Sequence, residues 1–270
     1  MSLITIAPVG GLCNRMRALD SALLLGETIG SRVELLWYRD PSLNCRYTEL
    51  FEPPVNLSRV IDINMSNRFG PLLRKLFLGL RPHASRNFYN QDDIAEAIKL
   101  GLDLEREFSG TDVFIESCSA FFGRKDYLTF VPVKQLCRVI DAYRSRLSDA
   151  VGIHIRRSDN ILSIKHSPTE EFEKIMSGMI ASGYCNHFFL STDSPEEERR
   201  LVERFGDKIL SHPKNTFDRN VCNSIKDAII DLYCLAGCKQ IVGSYWSSFS
   251  ETAANIGNKE LIIIDVFADD

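Results

Sequence analysis

Apolar residues fall along this chain in two alternating rhythms. Short, nearly continuous apolar runs predict strands: LITIAPV from residue 3, RVELLW from 32, RVIDIN at 59–64, DVFIES from 112, VGIHI from 151, HFFLST from 187, KIL from 208, QIVGS from 240 and ELIIIDV from 260. Between them the apolar spacing turns helical, over about 14–29, 69–79, 91–107, 132–147, 222–238 and 248–256. Two further helix starts are punctuated alike. Ser167-Pro168-Thr169-Glu170 and Ser194-Pro195-Glu196-Glu197 each offer a serine cap, a proline at the first helical position and a glutamate that can reach back. Runs such as ELIIIDV belong to strands covered on both faces, so the sheets are predicted to be parallel.

The alternation predicts an α/β protein of two Rossmann-like, doubly wound units facing a cleft. The first spans 1–148 and the second 149–270, with the break near 146–151. Such a pair places its ligand where strand C-terminal ends meet the gap between the units. No internal repeat, low-complexity tract or long polar linker interrupts the series.

Composition narrows the class. Of 270 residues, 44% are hydrophobic and 25% charged, as in an ordinary globular protein. The net charge of −4 tells against nucleic-acid binding, which calls for a basic surplus. No apolar run approaches the roughly 20 residues of a membrane span. The start, MSLITIAPVGG, lacks a basic region and runs straight into a strand, so no signal peptide is expected. The eight cysteines stand at 13, 45, 118, 137, 185, 222, 234 and 238, mostly in apolar segments and without C-x-x-C spacing. They read as small buried residues, Cys234 and Cys238 one helical turn apart. A reduced, cytoplasmic protein without disulfides is the expectation.

Three stretches carry candidate chemistry, each at a predicted strand's C-terminal end. PVGGLCNRMRAL, residues 8–19, puts Gly10 and Gly11 after the first strand and Asn14, Arg15 and Arg17 at a helix start. Backbone can approach a ligand there, and helix N–H groups can meet an anion. It is equally an ordinary strand-to-helix turn, and G-x-G-x-x-G is absent. VGIHIRRSDN, 151–160, ends a core strand in His154, Arg156, Arg157 and Asp159. An arginine fork suits phosphate, and two neighbours could take a diphosphate; a strand emerging among salt-bridged arginines gives the same pattern. GSYWSSFSETAA, 243–254, starts a helix at Ser247 or Ser248, where hydroxyls and N–H groups could bind an anion. Ser248-Phe249-Ser250-Glu251 is also a capping box.

GGLCNR, HIRRSD, FLSTDS and GSYWSSFSETAA stand in the order and roughly the spacing of the GDP-fucosyltransferase superfamily. That superfamily takes in the α1,2- and α1,6-fucosyltransferases and the protein O-fucosyltransferases, with a GT-B type fold. The resemblance spans nearly the whole chain. It implies that Arg156 grips the donor β-phosphate, and that His154 and Asp159 touch or support the guanosine. Asp231 resembles an acidic residue that binds base or ribose. Ser247, Ser248 and Phe249 match the turn that holds the diphosphate, and Gly10, Gly11 and Asn14 the loop facing sugar and diphosphate. The donor implied is GDP-fucose and the partner a glycan acceptor, with no cofactor.

The chain departs from its relatives in NILSIKHSP, where Lys165 and His166 stand in place of a carboxylate, and in its shorter second unit. The costly event in sugar transfer is departure of a doubly negative leaving group, for which a fixed guanidinium needs no proton transfer. Arg156 takes that role with Arg157 supporting. No convincing D-x-D occurs, so metal independence is expected. Histidine is the side chain best suited to proton transfer near neutral pH, and His166 is the candidate base of an inverting displacement; a surface histidine before a helix is the alternative. Another nucleotide-sugar donor, or an inactive nucleotide- or glycan-binding relative, would share these features. Finally, 67–86 combines Leu72, Leu73, Leu76, Phe77 and Leu80 with Arg68, Arg74, Lys75, Arg81 and Arg86. A basic amphipathic helix could lie weakly on an anionic membrane, and a core helix with a solvated basic face explains the same pattern.

Overall fold

A computed structural model of the chain describes residues 2–80, 87–123, 126–158, 160–218 and 220–268. The chain forms two compact units, Met1–Val133 with Asp218–Ile225, and Lys134–Phe217 with Lys226–Asp270. The sequence places the break at 148/149. Compactness instead counts the helix at 134–147 with the second unit and returns 218–225 to the first.

In order, the first unit contains β1 (Leu3–Pro8), α1 (Leu12–Thr28), β2 (Arg32–Arg39), β3 (Phe51–Glu52), β4 (Leu57–Asn64), α2 (Gly70–Gly79), β5 (Phe88–Tyr89), α3 (Gln91–Lys99), α4 (Leu104–Phe108), β6 (Val113–Ser117) and β7 (Val131–Pro132). Its sheet runs β4-β2-β1-β6-β5, all parallel, and β3 and β7 make a small antiparallel pair. Strands β1 and β2 are buried at nearly every position, which is why their sequences are apolar without alternation. The helix expected over 91–107 breaks in two. Gly101 takes φ +68° just past the end of α3, and Asp103 then caps α4 through the N–H groups of Glu105 and Arg106.

The expectation of no disulfide is wrong. Cys45 and Cys222 are bonded, with Cα atoms 4.6 Å apart, and the Asn44 side chain donates to the Asn220 carbonyl at 3.0 Å. The two cysteines lie 177 residues apart, so spacing carried no sign of the pairing. Cys13, Cys118, Cys137, Cys185, Cys234 and Cys238 remain thiols. A reduced, cytoplasmic setting, expected from the absence of such a bond, loses its basis.

Helix α2 is less of a core helix than its pattern suggests. Phe77 and Leu78 pack against a cluster with Leu36 and Tyr38, while Leu72, Leu73, Leu76 and Leu80 are exposed. Arg74 turns inward, donating to the Tyr38 hydroxyl and to Glu116, both at 3.0 Å. Arg81 and Arg86 lie outside the described residues. Among the described residues, no helix is long and apolar enough to cross a membrane.

The second unit contains α5 (Lys134–Leu147), β8 (Val151–Ile155), α6 (Ile161–His166), α7 (Thr169–Ala181), β9 (Phe188–Thr192), α8 (Pro195–Phe205), β10 (Ile209–Ser211), the body of α9 (Cys222–Gly237), β11 (Gln240–Ser244), α10 (Ser248–Gly257) and β12 (Leu261–Ile264). Its sheet runs β10-β9-β8-β11-β12, again all parallel. Central strand β8 is buried at all five positions, with Val151, Ile153 and Ile155 packed among Phe172, Phe188 and Val242. Ser194 caps α8 as its sequence predicts, accepting from the Glu197 N–H. Ser167, in the same sequence context, does not cap α7, which starts behind Pro168 without a side-chain cap. Its hydroxyl accepts instead from the Tyr245 N–H at 2.7 Å and donates to the Ile264 carbonyl at 2.6 Å.

Candidate functional site

Two of the three sequence stretches converge within the second unit. Strands β8 and β11 are neighbours, with His154 opposite Gly243. A Cβ on Gly243 would come within 2.5 Å of Ser250, so glycine lets α10 settle close against the strand. That approach brings Phe249 onto His154, ring centroids 4.9 Å apart and nearly parallel. The Arg156 N–H donates to the Ser244 hydroxyl at 3.0 Å, joining the ends of the two strands.

Because β8 is covered on both faces, His154 is buried instead of alternating outward, and its Nδ1 has no hydrogen-bond partner. Burial, with Arg156 and Arg157 adding to it and Asp193 opposing, pushes the imidazole down to about 3 from its usual 6.5. The ring is therefore neutral near pH 7. An unfolded chain takes up this proton below about 6.5 and the folded one only near 3, so acid favours unfolding across that window. The stability that a neutral His154 contributes is complete above 6.5 and lost as the pH falls toward 3. His154→Gln is expected to lose melting temperature more gently than wild type between about pH 6.5 and 4. Parallel slopes would refute this.

The adjacent arginines differ in surroundings. Arg157 is spent internally: its guanidinium donates to Glu197 at 3.2 Å, and to the Arg156 carbonyl, the Ser167 carbonyl and the Thr169 hydroxyl, each at 2.8 Å. Arg156 stands at the strand end with its Nε 3.5 Å from Asp193, and it lines a pocket of about 360 Å³ with Asn160, Ile161, Leu162 and Trp246. Asp193 follows β9, which pairs with β8 so that Thr192 sits opposite Ile155. Burial would raise its carboxyl. The Ser158 hydroxyl, Arg156 and the Arg157 N–H outweigh that and hold it below the usual range. FLSTDS on its own gives Asp193 no role; only the strand pairing shows it beside Arg156.

Ser247 is the N-cap residue of α10 but makes no side-chain cap, while Ser250 donates to the Ser247 carbonyl at 3.2 Å. The capping box read at Ser248 to Glu251 thus does not form around Ser248, and the first turn keeps its N–H groups uncapped by Ser247. Asp231, on α9, is buried; its Oδ2 pairs with Lys214 at 3.0 Å and accepts from Ser191 at 2.9 Å, while its Oδ1 has no partner. Burial raises this carboxyl, and Lys214 pulls it back. Asp159 lies outside the described residues.

His166 is fixed in place by a carboxylate and two aromatic rings. Its Nδ1 meets Asp265 at 2.8 Å, its ring stacks on Tyr245 at 4.3 Å, and Phe267 closes edge-on at 4.9 Å. In the first unit, Gly10 takes φ +82°, a left-handed turn that favours glycine. Arg15 is fully buried beneath it, donating to the Gly10 carbonyl at 2.7 Å, to Asp40 at 2.8 Å and to the Tyr38 carbonyl. Arg15 thus shapes the turn. Gly11 precedes α1 without a cap, and Asn14 accepts from Arg17 at 2.5 Å.

No family model matches the chain. No curated protein matches it either. Solved structures do. An α-1,6-fucosyltransferase, NodZ, in a structure soaked with GDP-fucose, is 18% identical with a TM-score of 0.61, over 94% of this chain and 92% of that one. A second structure, of the fucosyltransferase NodZ from Bradyrhizobium, aligns over 93% of this chain and 91% of that one at 17% identity and TM-score 0.57. POFUT1 in its apo form is 12% identical, with a TM-score of 0.58 over 97% of each chain. At these identities the likeness is one of fold: two α/β units with parallel sheets, arranged along the chain as in fucosyltransferases of GT-B type.

Proposed function

We propose that this protein is a glycosyltransferase that moves fucose from GDP-fucose to a glycan hydroxyl, by inverting displacement and without a metal. The observation that carries the reading is the meeting of Arg156, the open first turn of α10 and the His154–Phe249 stack at adjoining strand ends. Arg156 and the N–H groups behind Ser247 and Ser248 form a set of fixed donors for a diphosphate as negative charge develops on it. His154, neutral and aromatic, with an unpartnered Nδ1, and Asp231, with an unpartnered Oδ1, offer polar atoms to a guanosine. Arg157 holds the loop that presents Arg156, and so acts through position.

One observation favours a second reading, a relative that binds the nucleotide without transferring the sugar. His166 is stacked on Tyr245 and closed edge-on by Phe267, packing that a ring without a catalytic task would also show. Calorimetric titration separates the cases. GDP is expected to bind at least tenfold more tightly than UDP or CDP, with unchanged affinity in EDTA. Equal affinities would remove the guanosine reading, and loss of binding in EDTA would remove metal independence. GDP binding without release of fucose would select the second reading.

A further inference from the structure

Beside Arg156 three large apolar side chains, Ile161, Leu162 and Trp246, stand exposed instead of packing into the core. The backbone of Tyr245 and Trp246 is gripped from three sides. Asn160 Nδ2 donates to the Trp246 carbonyl at 2.9 Å, Ser163 Oγ donates to the Tyr245 carbonyl at 2.6 Å, and the Ser167 hydroxyl accepts from the Tyr245 N–H at 2.7 Å. Trp246 takes φ +53°, a region that residues with side chains rarely occupy and that surrounding structure must enforce. Yet the indole itself is 68% exposed, and Ile161 and Leu162 next to it are 80% and 43% exposed. All three line the open pocket that Arg156 and Asn160 complete. The fold thus fixes a tryptophan backbone rigidly while leaving its ring, and two aliphatic neighbours, in water beside a guanidinium.

We infer that Trp246, Ile161 and Leu162 seat the acceptor, and that the acceptor is an amphiphilic glycoside. Its sugar ring lies on the indole face, and an alkyl or aryl group beside the reacting sugar covers Ile161 and Leu162. An aromatic face meets the C–H face of a pyranose through dispersion and burial, whereas a bare saccharide offers nothing to two exposed aliphatic chains. An apolar substituent gains about fourfold in affinity per buried methylene. This rests on the glycosyltransferase reading, because it takes the sugar bound next to Arg156 to be the acceptor.

The test is built to survive failure of that reading. Trp37 is buried and Trp246 is exposed, so a shift in indole emission reports on Trp246. Titration with octyl glucoside below its micelle concentration is expected to give a saturable blue shift, and methyl glucoside none. Ile161→Ser, whose exposed position spares the fold, and Leu162→Ser should each weaken octyl glucoside by about tenfold and leave GDP affinity, read by calorimetry, within twofold. Trp246→Phe should retain binding, read by calorimetry, and Trp246→Ala lose it. In transfer assays octyl glycosides should exceed the matching methyl glycosides about tenfold in kcat/KM, and the serine variants should erase that preference. No shift with octyl glucoside, or a preference untouched by Ile161→Ser and Leu162→Ser, overturns the inference. Loss of GDP binding by the wild type strikes the proposed function alone.

Discussion

Arg156→Lys is expected to lower fucose transfer about 100-fold or more, in line with losing one preorganised donor to a developing anion. Lysine keeps the charge and surrenders the planar fork that meets two phosphate oxygens at once. Melting temperature should move less than transfer does, because lysine keeps the positive charge beside Asp193. Arg157→Lys should behave in the opposite way. A lysine cannot span Glu197, Thr169 and two carbonyls, so about 1–3 kcal/mol of stability is lost while turnover per folded molecule largely survives. Single-turnover assays beside thermal melts read both variants. Equal turnover of wild type and Arg156→Lys would take Arg156 out of the mechanism.

Removal of the Cys45–Cys222 bond is expected to cost about 2–5 kcal/mol, near the upper end because the closed loop is so long. The Cys45→Ser/Cys222→Ser double variant should melt several degrees below the wild type, and dithiothreitol should bring the wild type down with it. Thiol labelling of the unfolded, unreduced chain should modify six cysteines, and after reduction all eight. Eight labelled without reductant would show that the bond is absent in solution.

Most strands could be read from the sequence because parallel strands buried on both faces spell themselves as unbroken apolar runs. VGIHI and QIVGS begin and end where the structure has them. What could not be read is whatever depends on a partner far along the chain. Arg156 and Arg157 are chemically identical neighbours, and they are told apart by Glu197 and Thr169, on two other helices. Ser167 and Ser194 stand in the same Ser-Pro context, yet Tyr245 and Ile264 claim the first hydroxyl and leave only the second to cap a helix. His166 reads as a titratable group near the site, and only the arrival of Asp265 and Phe267 from the C-terminal end shows it clasped. The candidate site was therefore legible as a set of stretches, while the division of labour within each stretch was not.

The return of residues 218–225 to the first unit also sets a timetable for synthesis. At about 5–20 residues per second, Cys45 leaves the ribosome roughly 9 to 35 seconds before Cys222 exists to meet it. Cys13 is present throughout that interval and Cys118 joins it after roughly 4 to 15 seconds, both in the same unit as rival thiols. Native pairing thus has to be reached after most of the chain is made, either by a thiol kept waiting or by reshuffling of an earlier bond. Chains truncated before residue 222 should carry Cys45 as a thiol, in a mixed disulfide or bonded to Cys13 or Cys118, visible by alkylation and mass spectrometry. An oxidising compartment equipped to exchange disulfides suits such a chain better than one that merely oxidises them.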